Sequence, residues 1–294
     1  MKPPVFSFHS PATVAETVGL LASLENAMLL AGGQSLMPML NMRYAQPDHV
    51  IDLNHVDGLD YISEGGGWLE IGAMTRQRDV EFSREVERRC PLLAEAIPLV
   101  GHRQTRNRGT VGGSLSHSDP AAEIPTVCAA TDAVLRVQGP KGERDIPFAE
   151  FSLGFMTTAM ELDEILLSIR IPEWESGHGY AFQEFARRHG DFAIVSAAAL
   201  LTAGADGRIT RASLAVGGAG PAPFRIADAE ARLVGQPGSP EIFEAAAEAC
   251  SEIDAIGDVH APADYRRQLA AVLARRALET AWSRAVAGPG SREP

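Results

Sequence analysis

Two glycine-rich segments hold the residue types best suited to chemistry in this chain. Ala31-Gly32-Gly33-Gln34-Ser35 ends an apolar stretch and opens a helical one, and Thr110-Val111-Gly112-Gly113-Ser114 repeats the pattern later. Glycine lacks the Cβ that keeps an anion away from the backbone, so unpaired N–H groups at such a turn can converge on a phosphate. A helix that starts there adds a favourable field. The Ser35 hydroxyl and Gln34 amide add donors. Together the two segments suit the two phosphates of a pyrophosphate. Paired glycines also serve as plain turns, and neither segment is a G-x-G-x-x-G or Walker A sequence. The residues by themselves leave both readings open.

The remaining candidates carry less. Arg103, Arg106 and Arg108 could meet a partner's acidic surface, a ligand phosphate or only solvent, and solvent or internal pairing is the simplest reading. His102 and His117 bracket the second segment with no further ligand at metal spacing. Asp119 and Glu123 form an acid/base pair only if both face one cavity; otherwise they cap a helix or bond a sugar hydroxyl. No G-x-S-x-G elbow supports hydrolysis. Cys90, Cys128 and Cys250 lie far apart with no CxxC pair. An iron–sulfur cluster needs clustered cysteines and structural zinc needs paired ligands, so redox chemistry would rest on an organic cofactor or a partner chain.

The elements that must position these residues are read from composition and periodicity. At 294 residues, 45% hydrophobic and 22% charged, the chain has material for two packed domains. A net charge of −12 disfavours nucleic acid and anionic lipid as partners. No stretch is apolar and long enough to span a membrane, and no signal peptide is visible, so a cytoplasmic protein is expected. Ser10 and Pro11 suit the cap and first turn of a helix over 14–24. Strands are expected over 28–31 and 50–53, and a hairpin about Gly65-Gly66-Gly67. Thr75 suits the cap of a helix running to 82, and a further helix covers 92–99. Strands over 133–137 and 165–171 precede a linker at 173–179. Three strands over 180–186, 194–202 and 209–217 form a small antiparallel sheet, followed by amphipathic helices over 241–252 and 265–285. The expected class is α+β in two parts divided near 175, with a disordered tail over 288–294.

Combined with strings downstream of them, the glycine segments resemble a known family. The strings are Ala31-Gly32-Gly33-Gln34-Ser35-Leu36, Thr110-Val111-Gly112-Gly113-Ser114-Leu115 and Asp119-Pro120-Ala121-Ala122-Glu123. Further along the chain come Glu164-Ile165-Leu166-Leu167-Ser168-Ile169-Arg170-Ile171-Pro172 and Arg187-Arg188-His189-Gly190-Asp191-Phe192-Ala193. In this order they are similar to the medium, FAD-binding subunit of molybdenum hydroxylases, the group of carbon monoxide, xanthine and N-heterocycle dehydrogenases. The resemblance runs from Pro4 to about Ala285. It implies a vanillyl-alcohol-oxidase/p-cresol-methylhydroxylase-type FAD-binding domain of two α/β subdomains, about 1–56 and 57–175. A small C-terminal flavoprotein domain over 178–287 would come next.

By position, the resemblance implies that Leu29, Leu30, Ala31, Gly32, Gly33, Gln34, Ser35 and Leu36 line the pyrophosphate and adenosine. Thr110, Gly112, Gly113 and Ser114 would form a second phosphate clamp. Val100 and Gly101 would lie by the flavin ring, and Glu123 would accept from a polar cofactor group. Leu166 would contact the flavin's polar edge through its backbone, Phe192 would stand beside N5, and Arg187 shares that loop. Two positions depart from the family: Gln183 replaces a lysine of xanthine dehydrogenases, and Phe192 a frequent tyrosine or tryptophan. The implied role is electron relay, with no catalytic acid or base and no metal on this chain. Its partners would be a small [2Fe–2S] subunit and a large molybdopterin subunit, as a dimer of heterotrimers. A self-sufficient flavin oxidase is the alternative, and a non-redox module that has lost its cofactor a third reading.

Overall fold

A computed structural model describes residues 1–287; the tail expected to be disordered lies outside the described residues. The class is α+β, built on three sheets with a separate two-stranded hairpin.

The first unit is a parallel sheet in the order β1-β3-β2, with β1 Ser7–His9, β2 Ala27–Leu30 and β3 His49–Asp52. Helix α1, Val14–Ser23, crosses from β1, and α2, Leu36–Asn41, comes directly after the first glycine segment. Thr13 caps α1, where Ser10 was expected. Its hydroxyl accepts the Glu16 N–H at 3.2 Å while the Glu16 carboxylate accepts from Ala12 and Thr13. That reciprocal T-x-x-E box satisfies more orphan donors than Ser-Pro can.

The second unit is an antiparallel sheet in the order β4-β5-β10-β6-β7. Its strands are β4 Ile62–Gly65, β5 Trp68–Gly72, β6 Val134–Gly139, β7 Gly142–Pro147 and β10 Ile165–Pro172. Between β5 and β6 run α3 Gln77–Glu81, α4 Arg84–Arg89, α5 Pro91–Ala96, α6 Arg103–Arg106, α7 Val111–His117 and α8 Glu123–Thr131. Short α9, Phe148–Phe151, leads into the hairpin of β8 Ser152–Gly154 and β9 Thr157–Thr158. Thr75 caps no helix. It is buried, and its hydroxyl pairs with both the N–H and C=O of Tyr61, at 3.1 and 2.9 Å. The second glycine segment is the first turn of α7, with Thr110 as its cap.

The third unit is a four-stranded antiparallel sheet, where three strands were expected. Its strands are β11 Gly179–Phe185, β12 Val195–Ala203, β13 Ile209–Gly217 and β14 Phe224–Arg225. β14 is two residues long and paired only with Ala215 and Val216, too short to show a period of two. Helices α10 Ala227–Leu233, α11 Pro240–Ala247 and α12 Ala263–Ala287 cover one face. β11 approaches α12 so closely that a Cβ on Gly179 would stand 1.7 Å from the Ala281 carbonyl oxygen.

The units share one core. β12 is buried along nearly its whole length, because Ala197, Ala199 and Leu201 pack toward the C-terminal helices while Ala198 and Leu200 pack with α8. All nine residues of α8 are buried. Among the described residues no helix is long and apolar enough to cross a membrane.

Arg266 closes the third unit. Its guanidinium donates to Ile194 O at 2.6 Å and Gly218 O at 2.7 Å, and meets Asp258 at 2.7 Å. Removing it strands two buried carbonyls. Arg266→Met should cost roughly 3 kcal/mol by loss of charge-assisted hydrogen bonds. Denaturant titration checks this; an unchanged midpoint would exclude the role.

Candidate functional site: the junction of the two glycine segments

The fold brings the two glycine segments into backbone contact. Gly32 is buried, and a Cβ there would stand 2.2 Å from Arg108 O and 2.7 Å from Gly109 Cα. A Cβ on Gly113 would lie 3.5 Å from the Ala31 Cβ. Gly33 turns the chain into α2 at φ +72°, a conformation that favours glycine.

The two segments differ in what they leave free. Among the described residues, the N–H groups of Gly32, Gly33, Gln34 and Ser35 have no acceptor in the protein. Ser35 spends no hydroxyl on capping α2, whereas the Gln34 amide folds back to Gly32 O at 3.2 Å. In the second segment most donors are engaged. Val111 N donates to Thr75 O, Gly112 N to Ala73 O, Gly113 N to the Thr110 hydroxyl and Ser114 N to Thr110 O. A Cβ on Gly112 would strike the Ala73 Cβ at 2.5 Å, so this glycine serves close packing on β5. The first segment is thus an anion cradle of unpaired N–H groups, and the second is the wall against which it is built.

Two residues that sequence reasoning missed hold the junction. The Arg76 guanidinium donates through Nη1 to Arg108 O and through Nη2 to Asn54 Oδ1, both at 2.6 Å. Asn54 in turn donates to Ala31 O at 3.1 Å. Arg76 therefore ties both segments together. Burial lowers its affinity for a proton, and the nearby Arg108 charge lowers it further. Neither arginine makes an ion pair among the described residues. Two close cations beside a row of unpaired N–H groups fit a doubly charged ligand such as a pyrophosphate. No motif marks Arg76 or Asn54; only their tertiary contacts do.

The other expected residues lie along the adjoining seam. Leu166 is buried in β10; next to it, Leu167 O accepts from Ala73 N, and Ala73 O accepts from Gly112 N. Gly101, at φ +50°, and Val100 form a turn whose carbonyls accept from Arg106 at 3.4 and 3.1 Å. Arg106 is buried and paired with Glu81 at 2.8 Å. Of the three-arginine run, this member is internal. His102 packs flush on Gly190, which brings the Val100–His102 turn against the loop that carries Arg187 and Phe192. Arg187 is exposed and meets His260 at 2.8 Å, and Phe192 is 59% exposed. Asp119 closes its own turn on Ala121 N at 2.9 Å, and its charge adds to the field that raises the Glu123 carboxyl. No group of three or more His, Cys, Asp or Glu among the described residues is arranged for a metal. The three cysteines are free and buried.

Glu123 begins α8 in a buried position, facing Glu184 of β11. Burial, and then the Glu184 charge, push its carboxyl up to about 8. Burial pushes Glu184 up to about 7, and its Oε2 has no hydrogen-bond partner. A carboxyl that keeps its proton at neutral pH can donate as well as accept.

Two variants test these assignments. Arg76→Ala should weaken FAD retention by about tenfold or more, the cost of charge-assisted hydrogen bonds, while exposed Arg78→Ala should not. Equal flavin occupancy in both would remove Arg76 from the junction. The raised carboxyls make the folded state bind protons more tightly than the unfolded one. Stability should therefore fall as pH rises from about 5 toward the folded values of about 7 and 8. Glu184→Gln should flatten that slope and add on the order of 2 kcal/mol at the alkaline end. Denaturation of the FAD-free chain across this range measures it; a parallel slope in the variant would show that the pair does not titrate there.

Comparisons with known proteins identify the family. Residues 4–174 match the family model "FAD binding domain in molybdopterin dehydrogenase", and residues 180–281 match "CO dehydrogenase flavoprotein C-terminal domain". The carbon monoxide dehydrogenase medium chain of Hydrogenophaga pseudoflava is 38% identical, over 97% of this chain and 99% of that one. The nicotine 6-hydroxylase medium subunit of Paenarthrobacter nicotinovorans is 40% identical, over 97% and 100%. A solved Hydrogenophaga pseudoflava carbon monoxide dehydrogenase, lacking the Mo-pyranopterin moiety of its molybdenum cofactor, superposes with a TM-score of 0.94 at 39% identity, covering 97% and 99%. The chain belongs to the family of FAD-binding medium subunits of molybdenum hydroxylases and is an oxidoreductase subunit with an FAD-binding domain.

Proposed function

We propose that this chain relays electrons from the [2Fe–2S] clusters of a small partner subunit to an external acceptor. A large molybdopterin subunit would oxidise the substrate, in a cytoplasmic dimer of heterotrimers. The observation that carries the reading is the row of unpaired N–H groups at Gly32–Ser35, beside Arg76 and Arg108, in a chain of the FAD-binding medium-subunit family. Bound FAD supplies the redox chemistry, taking up and releasing two electrons.

The chain's own residues bind and orient. Gly32, Gly33, Gln34 and Ser35 would hold the pyrophosphate through backbone N–H groups, with Leu29, Leu30, Ala31 and Leu36 along the adenosine side. Thr110, Gly112, Gly113 and Ser114 would wall the second phosphate, through the Ser114 hydroxyl and a backbone that no side chain obstructs. Val100, Gly101, Leu166, Arg187 and Phe192 would border the flavin ring. Glu123 would hold a proton against a polar cofactor group. In this reading residues 1–175 form the FAD-binding domain and 178–287 the C-terminal flavoprotein domain.

The substrate is not assigned to this chain. Relatives named for carbon monoxide and for nicotine resemble it almost equally, at 38% and 40% identity. That is expected if the substrate pocket lies on the large subunit. A self-sufficient flavin oxidase has no matching observation, since the relatives are named as medium chains of larger enzymes.

Purification of the native assembly tests the proposal. It should be yellow, contain flavin, iron and molybdenum, and hold two further chains. The isolated subunit, reconstituted with FAD, should show no substrate-dependent bleaching, while the assembly bleaches with its substrate. Bleaching by the isolated subunit, or failure to take up FAD, would reverse the assignment.

A further inference from the structure

Several exposed basic side chains meet at one surface of this acidic chain. The loop over 186–193, which joins β11 to β12, packs against the start of α6. A Cβ on Gly190 would stand 2.3 Å from His102 Cε1, and the His102 and His189 rings are 6.2 Å apart. On the other side Arg187 meets His260 at 2.8 Å. Arg103 is next to His102 and Arg188 next to Arg187, and all of these side chains are exposed. Arg103, Arg187 and Arg188 make no ion pair among the described residues. Two nearby acids are already taken, Glu81 by Arg106 at 2.8 Å and Asp258 by Arg266 at 2.7 Å. Asp191 is the one carboxylate within the loop, and exposed Glu252 and Asp254 lie on the segment that leads to His260.

Large apolar side chains stand out among these cations. Phe192 is 59% exposed and Val259, next to His260, 95%. Two cavities lie elsewhere, one bordered by Tyr61, Glu70 and Ser168, another by Cys128, Phe148 and Phe224. An exposed face with free guanidinium groups around an apolar centre is not built to enclose a small ligand, which calls for a concave site. It matches a small, charge-steered contact of the kind used in transient electron transfer. A permanent subunit interface would be larger and more apolar.

We propose that this face docks the external electron acceptor, and that the acceptor is a protein presenting an acidic rim around an apolar spot. This rests on the electron-relay reading of the chain. The face is continuous with the Val100–His102 turn and Phe192, so a docked carrier would lie beside the proposed flavin edge. No bond is made to the carrier. Per turnover, two one-electron carriers leave reduced, and the two protons released with those electrons go to water.

The test uses the purified assembly, reduced with stoichiometric dithionite and mixed in a stopped-flow instrument. The probes are plastocyanin (acidic) and mitochondrial cytochrome c (basic), both one-electron acceptors, with a neutral benzoquinone as control. For the wild type, plastocyanin should react faster at low salt, because screening removes the steering. In Arg103→Glu/Arg188→Glu the plastocyanin rate should fall by about tenfold or more and its salt dependence should vanish or invert. The cytochrome c rate should rise and the benzoquinone rate stay within about twofold. Unchanged plastocyanin kinetics would overturn the proposal. So would loss of the partner chains from the variant on gel filtration, which would make the face an inner interface. A wild-type assembly without flavin would instead overturn the relay reading, before any variant is compared.

Discussion

The structure depends on one steric constraint: Gly32 has no room for a side chain. Its α-carbon meets the Arg108–Gly109 backbone, where a Cβ would overlap the Arg108 carbonyl at 2.2 Å. That contact has two consequences. The chain must leave β2 through a left-handed residue, Gly33, and turn at once into α2. The N–H groups of the turn then have no acceptor in the protein, which is costly where they are buried unless a ligand accepts from them. Arg76 completes the arrangement by bonding to the Arg108 carbonyl and the Asn54 side-chain oxygen. Its charge therefore remains available to an anion.

A second constraint links this junction to the third unit. α8 is buried on all sides, so the sheet of β11–β14 packs on it as well as on its own helices. This forces Glu123, at the start of α8, toward Glu184 on β11. Burying two carboxyls together is unfavourable while both are charged. One of them holding a proton relieves the repulsion. A buried acid pair that costs stability at alkaline pH is easier to explain by a bound polar group than by packing.

Much of this was legible in the sequence, and the limits have physical causes. The glycine segments could be read because a missing Cβ is a local property, and so could the hairpin at Gly66-Gly67 and the long C-terminal helix. The tasks of individual donors were not legible. Gly112 and Gly32 look alike in sequence, yet one N–H is spent on Ala73 and the other is free. Arg76 and Asn54 act only through partners far along the chain. The helix cap moved from Ser10 to Thr13 because a reciprocal box outcompetes a lone hydroxyl. Thr75 left its expected cap because the interior claimed its hydroxyl. β12 showed no alternation because both its faces are buried, and β14 is too short to carry any pattern.

The cysteine arithmetic acquires a meaning from the fold. Burial pushes the Cys90 and Cys250 thiols up to about 12 and Cys128 further still. All three behave as small apolar side chains and none is poised for cluster ligation or thiol chemistry. In the proposed relay, electrons would enter and leave through groups this chain does not itself encode. A relay protein of that kind needs two properties: a site that holds the cofactor without reacting with it, and surfaces that bring redox partners close. In the proposed function the first would fall to backbone N–H groups and neighbouring arginines, which do no acid/base chemistry. The second calls for exposed, chemically distinct faces near the cofactor. The loop bearing Phe192 and Arg187 would join both requirements, because it touches the Val100–His102 turn through His102 and meets solvent with exposed arginines.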